Sequence, residues 1–385
     1  MRLLHTADWH VGKALRGRSR IEEHRAVLAE IVDHARGNDV DVTVVAGDLF
    51  ESSAPPPEAE AVVYRALRAL GEVAPVLVVA GNHDAPGRLR AVAPLLDLGR
   101  VTVVAEPTRP DQGGVVELTT DAGESAVVAM LPFVSQRGIV RADELMAGTA
   151  AEAVQRYADR LRRLAAVLCE PFRSDSVNLV VAHCFVADGV LGGGERSAHT
   201  VLDYWVPGVA FPPTASYVAL GHLHRPQQLP GATAIHYSGS PLQLDFGEVG
   251  DQTQVNLVDA QAGRPARVEP LPLTAGRPLK VLTGTLEQVI ADAEQAGDAW
   301  LRAVVTEARR AGLADHARAR IGERLVDVVI EAPGGDREPG HPPRRSGRTP
   351  RELFDAFCAE RGVDDPRVAR LFDELLDEVQ SEARA

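Results

Sequence analysis

The decapeptide VTVVAGDLFE occupies residues 42–51, and it decides how the chain folds. Its β-branched apolar half is typical of a buried parallel strand, and Asp48 stands where that strand would end. Gly47 permits a turn there, because glycine adopts backbone angles that other residues avoid. In open α/β sheets, ligands bind at the carboxyl ends of the strands. Asp48 alone could equally be a turn residue or a helix cap, so its interpretation depends on similar strand ends elsewhere.

Length and composition predict a folded cytoplasmic protein with more than one unit. The chain has 385 residues, more than one ordinary core requires, and 45% of them are hydrophobic. No run approaches the ~18 apolar residues of a membrane helix, so we predict neither a membrane span nor a signal peptide. The three cysteines are Cys169, Cys184 and Cys358. They are widely spaced and form no C-x-x-C pair, which indicates a reducing cytoplasm and no thiolate zinc site.

The charge of the chain is unevenly placed. A formal net charge of −13 argues against nonspecific coating of nucleic acid by the whole surface, but it is compatible with a local basic track. Basic residues follow the first and third of the strand ends that carry polar residues, where phosphates would have to be held. We interpret five of them as candidate DNA contacts: Lys13, Arg16, Arg18, Arg20 and Arg88. The alternative is that these residues form an ordinary solvated surface.

Strand-like and helical segments alternate along the first part of the chain. Helical spacing over residues 20–36 links an amino-terminal strand to the Asp48 strand, which predicts a βαβ unit. A second helix is predicted at 58–71 and a later one at 150–169. Because strands towards residue 270 are predicted to close as antiparallel pairs, we expect two packed sheets with helices outside.

The texture of the sequence changes after residue 274. Residues 1–274 are predicted to form the main domain, 275–332 a small α+β capping domain, 333–349 a Pro/Gly/Arg linker, and 350–385 a helical tail. The tail carries apolar residues at helical spacing on two short segments: Leu353, Phe354, Phe357, Leu371, Phe372 and Leu375. Short amphipathic helices are marginal alone, so we expect this tail to dock on this chain or on another.

Residue types that bind metals stand at the ends of five strand-like runs: Asp8, His10, Asp48, Asn82, His183, His222 and His224. Asp8 and His10 are two apart, so on an extended segment both would face one cation. These ligands suffice for two cations if Asp48 bridges them and water completes the shells. Oxygen and imidazole ligands without sulfur suit Mn²⁺ best, and they also accommodate Mg²⁺, Fe²⁺ or Zn²⁺. A lone buried histidine is more often a core residue, but the ordered set favours ligation.

His83 and Asp84 follow the ligand Asn82 directly. On an extended segment His83 would point away from the metals and towards substrate, and its near-neutral reference pKa suits proton donation to a leaving oxygen. We therefore assign His83 a catalytic role. Asp84 either orients His83 or caps the helix that follows it.

These motifs together resemble the signature of the calcineurin-like metallophosphoesterase family: Asp8-Trp-His10, Gly47-Asp48, Gly81-Asn-His-Asp84, His183 and Gly221-His-Leu-His224. The stretches HTADWH, AGNHD, YSGSPL and TPRELF also resemble one branch of that family, bacterial nuclease subunits that act with a coiled-coil ATPase. The likeness covers nearly the whole chain. Glu51 departs from that branch, which more often has Asp there, and this puts one outer contact of the metal site in doubt.

The resemblance implies a four-layer α/β/β/α sandwich with a capping domain and carboxyl-terminal helices that bind the base of the ATPase coiled coil. It implies Asp8, His10, Asp48 and His224 on one metal. It implies Asp48, Asn82, His183 and His222 on the other, with His83 near the scissile phosphate. The implied activity is a Mn²⁺-dependent DNA nuclease in repair, replication and recombination, acting as a 3′–5′ exonuclease on duplex ends and an endonuclease on single strands and hairpins. The implied location is the cytoplasm, at the nucleoid.

The helix at 58–71 and the one after Pro86 offer more apolar surface than one sheet face needs: Ala59, Val62, Ala66, Leu70, Leu89, Val92, Leu95 and Leu96. Packing on the sheet is the simpler explanation. The resemblance favours a homodimer through these helices, within a heterotetramer that includes the ATPase.

Two other functions compete with this interpretation. A phosphodiesterase acting on a small nucleotide could use the same metal residues, but it needs no capping domain, linker or docking helices. A non-catalytic scaffold for the ATPase is the other alternative, and such a protein would usually have lost metal ligands.

Overall fold

The computed structural model describes residues 1–135, 150–187, 189–193, 205–206, 210–308 and 310–331, together with Phe354, Cys358, Val368 and Phe372. The chain divides into two compact regions, Met1–Ala332 and Pro333–Ala385. The first region holds every predicted metal ligand.

Within the described residues the strands are β1 (Arg2–Thr6), β2 (Ala14–Leu15), β3 (Arg18–Ser19), β4 (Val42–Val45), β5 (Val76–Val79), β6 (Val101–Val104), β7 (Val115–Thr119), β8 (Ser125–Leu131), β9 (Val177–His183), β10 (Phe185–Val186), β11 (Trp205–Val206), β12 (Tyr217–Gly221), β13 (Gln227–Leu229), β14 (Ala234–Tyr237), β15 (Gln254–Gln261), β16 (Arg264–Pro272), β17 (Leu279–Gly284), β18 (Trp300–Val305) and β19 (Leu325–Ile330). The α-helices are α1 (Ile21–Gly37), α2 (Pro57–Val73), α3 (Pro86–Asp97), α4 (Ala150–Cys169), α5 (Leu286–Gln295) and α6 (Leu313–Ile321). The helices predicted at 20–36, 58–71 and 150–169 are therefore confirmed.

Two six-stranded sheets form the centre of the first region. One has the order β16-β15-β1-β4-β5-β6, with β1, β4, β5 and β6 parallel and β15 antiparallel to β1. The other has the order β13-β14-β12-β9-β8-β7, with β14, β12, β9 and β8 parallel. Parallel strands are buried on both faces, which explains their continuous apolar sequences.

The two sheets pack face to face through a shared apolar layer that includes Val44, Leu77, Val128, Val181 and Ala219. Helices α1 and α2 cover the outer face of the first sheet, and α4 covers the outer face of the second. This order of helix, sheet, sheet and helix confirms the predicted four-layer sandwich. It also places the carboxyl ends of parallel strands from both sheets at one edge.

The predicted surplus of apolar surface is wrong for α2. Ala59, Val62, Ala66 and Leu70 are all buried within the apolar cluster under the first sheet. Helix α3 differs, because its Leu95 is 71% exposed, and Leu98 just beyond the helix is 86% exposed. The prediction is also wrong for Leu89, which is buried in the same cluster, and Leu96 packs against that cluster, so the predicted dimer surface reduces to the exposed part of α3 around Leu95.

A smaller parallel sheet of order β17-β18-β19 follows, with α5 and α6 as its connecting helices. We call β17–β19 with α5 and α6 the small subdomain. It has its own apolar core, which includes Val289, Leu301, Ala303 and Leu313. Its strands are all parallel, so strands and helices alternate in the predicted small capping unit as βαβαβ.

In the second compact region, Phe354 and Phe372 are both helical, and their rings stack with centroids 3.9 Å apart. This contact joins the two predicted tail helices to each other. The linker 333–349 lies outside the described residues, as do Leu353, Phe357, Leu371 and Leu375. Among the helices that the structure describes, none combines the length and apolarity needed to span a membrane.

Candidate metal centre

The carboxyl ends of β1, β4, β5, β9 and β12 meet at one edge of the sandwich. Predicted ligands follow four of these strands and His183 is the last residue of β9, and the structure brings all seven together: Asp8, His10, Asp48, Asn82, His183, His222 and His224. The carboxylates and imidazoles in this set are buried almost completely. Because buried ionisable groups are costly without partners, such a cluster requires compensating charge.

The backbone at this edge is not extended, contrary to our expectation for Asp8 and His10. Strand β1 ends at Thr6, and the φ angles of Asp8 and His10 are 53° and 45°. Asp48 has a φ of 53° as well. Such left-handed conformations cost non-glycine residues of order 1–3 kcal/mol and cluster at functional sites. The two side chains therefore converge through tight turns rather than through the alternation of a strand.

Neighbouring backbone holds these turns in place. The Asp8 N–H donates to the Gly47 carbonyl, and the His10 N–H donates to the Asp48 carbonyl, each at 3.0 Å. Gly81 lies against Asp48 so closely that a Cβ at this position would overlap the carboxylate and its backbone nitrogen. The glycine in the Gly-Asn-His-Asp motif is thus required by the close approach of two loops.

His10 and His224 face each other with their Nε2 atoms 3.1 Å apart. Their Nδ1 atoms are held by carboxylates, His10 by Glu51 at 3.0 Å and His224 by Glu248 at 2.8 Å. When each Nδ1–H donates to its carboxylate, both neutral rings direct Nε2 lone pairs at the same point. Two facing lone pairs repel unless a cation lies between them, so this pair fits a metal.

His183 is oriented in the same manner. Its Nδ1 donates to the Ala46 carbonyl at 2.7 Å, and its Nε2 lies 2.9 Å from Oδ1 of Asn82. The same Asn82 oxygen lies 2.9 Å from Nδ1 of His222. An amide oxygen between two imidazole nitrogens is a donor set for a second hard or borderline cation.

Asp48 lies between the two donor groups. Its Oδ2 is 3.5 Å from His10 Nε2 and 3.5 Å from His183 Nε2, while its Oδ1 accepts the His83 N–H at 2.7 Å. Ligands with bonds of about 2.1 Å to a common metal lie roughly 3.0–3.4 Å apart, depending on its geometry. The two 3.5 Å distances lie just above that range, so Oδ2 stands close to where a carboxylate shared by two metals would lie.

The electrostatics of the cluster also favour bound cations. Burial raises the pKa of Asp8 to about 7, although the neighbouring His183 and His224 act against this shift. Burial lowers the pKa of His183, but the charge of Asp48 and its hydrogen bond outweigh burial and raise it to about 9. Without metal, Asp8 and His183 would thus hold protons where ligands need lone pairs. Divalent cations would replace those protons.

The His83 ring is fixed beside this cluster. Its Nδ1 lies 2.7 Å from the Glu51 carbonyl, and its ring meets that of His10 edge to face with centroids 4.5 Å apart. A carbonyl only accepts, so Nδ1 carries the proton of this hydrogen bond. His83, His10 and Asp48 also lie close enough together to hold a cation between them, so the geometry allows a ligand role as well.

Asp84 does neither of the things that we predicted. Its carboxylate accepts backbone N–H groups of Gly81, Leu49 and Phe50 at 2.8, 3.3 and 3.1 Å, and α3 has no side-chain cap. Asp84 therefore ties the loop after β5 to the loop after β4. We correct its role from catalytic residue to positioning residue.

The predicted basic track is only partly available. The prediction is wrong for Arg20, which is 2% exposed because its guanidinium binds Glu23 and the Gln243 carbonyl. The other four are at least partly exposed, and each has a neighbour. Lys13 pairs with Glu51, Arg16 with Asp327, and Arg88 with Glu60, while Arg18 lies over the Trp300 ring.

Sequence reasoning missed two outer supports of the site. Glu248 holds His224, and nothing in its local sequence marks it as a partner of a histidine 24 residues away. Ser240 donates its hydroxyl to the Asp8 carbonyl at 2.6 Å, although the YSGSPL stretch that contains it indicates only a resemblance. Glu51, the expected outer contact, hydrogen-bonds His10 through its carboxylate and His83 through its carbonyl.

The family model described as calcineurin-like phosphoesterase matches residues 1–226, which include all seven predicted ligands. The fold and the site therefore define a calcineurin-like phosphoesterase.

Similar proteins narrow the class further. The SbcD subunit of the SbcCD nuclease from Bacillus subtilis is 34% identical over 395 residues, covering 99% of this chain and 99% of the relative. The protein of the same name from Rhodobacter capsulatus is 34% identical, covering 92% and 94%. That from Escherichia coli K12 is 32% identical, covering 77% and 74%. The chain belongs to the SbcD family of nuclease subunits.

Proposed function

We propose that this protein is a Mn²⁺-dependent DNA nuclease that acts with an SbcC-type coiled-coil ATPase in DNA repair, replication and recombination. Its substrates are duplex ends, degraded as a 3′–5′ exonuclease, and single strands and hairpins, cut as an endonuclease. The observation that carries the proposal is the position of Asp48 Oδ2 between His10 and His183. On one side, the Nε2 atoms of His10 and His224 face each other. On the other side, Asn82 Oδ1 lies beside His183 Nε2. The resemblance to nuclease subunits supplies the substrate class.

We assign the first cation to Asp8, His10, Asp48 and His224, and the second to Asp48, Asn82, His183 and His222. Bound there, the cations would neutralise a phosphodiester and lower the pKa of a water. Mn²⁺ fits this mixed oxygen and nitrogen set, and Mg²⁺ is the alternative.

The protein's own groups orient the reaction. Glu51 fixes the His83 ring by accepting from Nδ1 through its carbonyl, and we assign Nε2 to the phosphate. As the imidazolium, His83 donates a proton from Nε2 to the leaving 3′ oxygen or supports the charged phosphate. Asp84 keeps the loop that carries Asn82 and His83 against the Asp48 loop.

The proposal is tested with purified chain on a labelled hairpin duplex and a single strand, with Mn²⁺, Mg²⁺ or chelator, and with and without the ATPase. We expect Mn²⁺-dependent cleavage of single strands by the chain alone and ATP-stimulated degradation of duplex with the partner. Hydrolysis of bis(p-nitrophenyl) phosphate without cleavage of any DNA would instead favour the small-nucleotide phosphodiesterase. Metal binding without hydrolysis of either substrate would favour the scaffold.

We further propose a homodimer through α3. Leu95 and Leu98 are large apolar side chains that the first region leaves exposed, and exposed apolar clusters mark interaction sites. We expect light scattering to give a dimer for the wild-type chain and a monomer for a Leu95→Ser, Leu98→Ser double variant. Val281→Ser, which removes an exposed apolar residue from the small subdomain, is the matched control. A wild-type monomer at micromolar concentration, with or without DNA, would contradict the dimer.

We propose that residues 350–385 bind the ATPase. In this proposal the linker 333–349 connects the tail to a nuclease domain at 1–274 and a capping domain at 275–332, and it allows the tail to extend towards the partner. Burial of the tail's apolar residues in a groove of the coiled coil would contribute roughly 1.5–3 kcal/mol per side chain. Deletion of all residues after Pro343 should leave Mn²⁺-dependent cleavage of single strands intact and abolish ATP-stimulated duplex degradation. A pull-down with the ATPase checks this, and normal complex formation by the truncated chain would place the contact elsewhere.

A further inference from the structure

Glu248 is a buried carboxylate that no step of the proposed reaction uses. It is 3% exposed, with Oε1 2.8 Å from His224 Nδ1 and Oε2 accepting the Leu244 N–H at 2.6 Å. Because His224 donates its Nδ1–H to this carboxylate, its Nε2 is left as the ligating atom. Glu248 therefore fixes both the tautomer and the direction of the ring.

Glu248 belongs to a short 3-10 turn, Phe246–Glu248, whose first residue contacts the small subdomain. Phe246 lies in one apolar cluster with Leu279 and Trp300 of that subdomain. The Arg302 guanidinium of β18 lies 4.5 Å from the centre of the Phe246 ring, a cation–π contact. The residue that holds His224 is thus two positions from a residue held by the small subdomain.

A second contact joins the same elements. Asp327 of β19 accepts from Arg302 at 2.8 Å and lies 3.2 Å from Nε of Arg16, in the turn between β2 and β3. Leu15 of that hairpin completes the apolar cluster around Phe246. The small subdomain is therefore seated on the 3-10 turn and on the hairpin together. Its displacement would remove the packing that holds Phe246.

A purely structural role for Glu248 would be to close the turn. The hydrogen bond from the Leu244 N–H to Oε2 closes the turn by itself. It does not explain why Oε1 contacts His224, a proposed metal ligand. Hydrogen bonds to the outer nitrogen of a ligating histidine raise its basicity, and their loss costs about 10- to 100-fold in metal affinity.

We propose that Glu248 is the positioning residue for His224, and that the Phe246 contact makes its position depend on the small subdomain. Displacement of the subdomain would then lower the affinity for the cation held by Asp8, His10, Asp48 and His224. The affinity for the second cation would not change. This inference rests on the proposed function, because it requires cations in the site.

The test measures Mn²⁺ binding by the full chain, using calorimetry and the electron paramagnetic resonance spectrum of the bound ion. We expect Glu248→Gln to lower the affinity for one of the two Mn²⁺ ions by about 10- to 100-fold. Phe246→Leu and Arg302→Met, which keep apolar volume at the contact, should weaken the same ion by a smaller factor. Arg318→Met is the matched control, since Arg318 pairs with Asp315 on the surface of α6.

Ligand variants identify the affected ion. In a His183→Asn background, which removes the second site, Glu248→Gln should still lower the affinity for the remaining ion. In a His10→Asn background it should have no effect on the remaining ion. Thermal unfolding of Glu248→Gln close to that of the wild type separates this result from general destabilisation.

Three results would overturn the inference, each in a different way. Equal binding of both ions by Glu248→Gln and the wild type would show that Glu248 does not position His224. An effect of Glu248→Gln without any effect of Phe246→Leu or Arg302→Met would remove the dependence on the small subdomain. A wild-type chain that binds no Mn²⁺ would refute the proposed function itself, together with this inference.

Discussion

Asp48→Ala is expected to release both cations and to abolish cleavage of DNA. Oδ2 of Asp48 lies 3.5 Å from a proposed ligand of each cation, so one substitution removes the group shared by both sites. The loss of activity should exceed the ~10²–10³-fold cost of removing a single electrostatic stabiliser, because two charged centres are lost together. Calorimetric titration with Mn²⁺ and the hairpin cleavage assay measure the two effects.

The fold should survive this substitution, because Asp48 lies at the sheet edge, outside the apolar clusters that hold the sandwich together. Circular dichroism and thermal unfolding check that point. Asp259→Ala is the matched control, since Asp259 is an exposed carboxylate that pairs with Arg2 far from the cluster along β15. Two fully occupied metals in crystals of Asp48→Ala, seen by anomalous scattering, would show that Asp48 is not the bridge.

His83→Gln is expected to separate binding from chemistry. Glutamine retains a polar side chain of similar size, but it cannot deliver a proton to a leaving oxygen. We therefore expect Mn²⁺ affinity and DNA binding close to wild type, with cleavage reduced by the ~10²–10⁴-fold typical of acid–base groups. Calorimetry, fluorescence anisotropy and single-turnover cleavage measure these three quantities. His34→Gln, at a histidine of α1 that contacts the Pro272 carbonyl, is the control.

The same variant also decides between the two geometries that His83 allows. Its ring lies near enough to His10 and Asp48 to share a cation with them. If His83→Gln lost a metal ion, His83 would be a ligand and its role as acid would be wrong.

The sequence alone determined the order of elements and the residue types at the strand ends. Continuous β-branched runs such as VTVV are buried parallel strands because both of their faces are covered, and this pattern is visible within a few residues. Helical spacing is local too, which explains why the predicted ends of α1, α2 and α4 lie within a few residues of the observed ones. Since parallel strands align their carboxyl ends, the sequence by itself could place the residues after them at one edge.

How those residues face one another depends on the packing of distant segments. His10 and His224 meet across 214 positions of sequence, and no local pattern shows that their Nε2 atoms oppose each other. The same reason applies to Glu248, and to Arg20, whose basic neighbours suggested a DNA contact although folding buries it against Glu23. It applies to Asp84, whose backbone partners come from a different loop. Contacts between distant segments depend on how sheets and helices pack, and packing is a property of the whole chain rather than of any stretch within it.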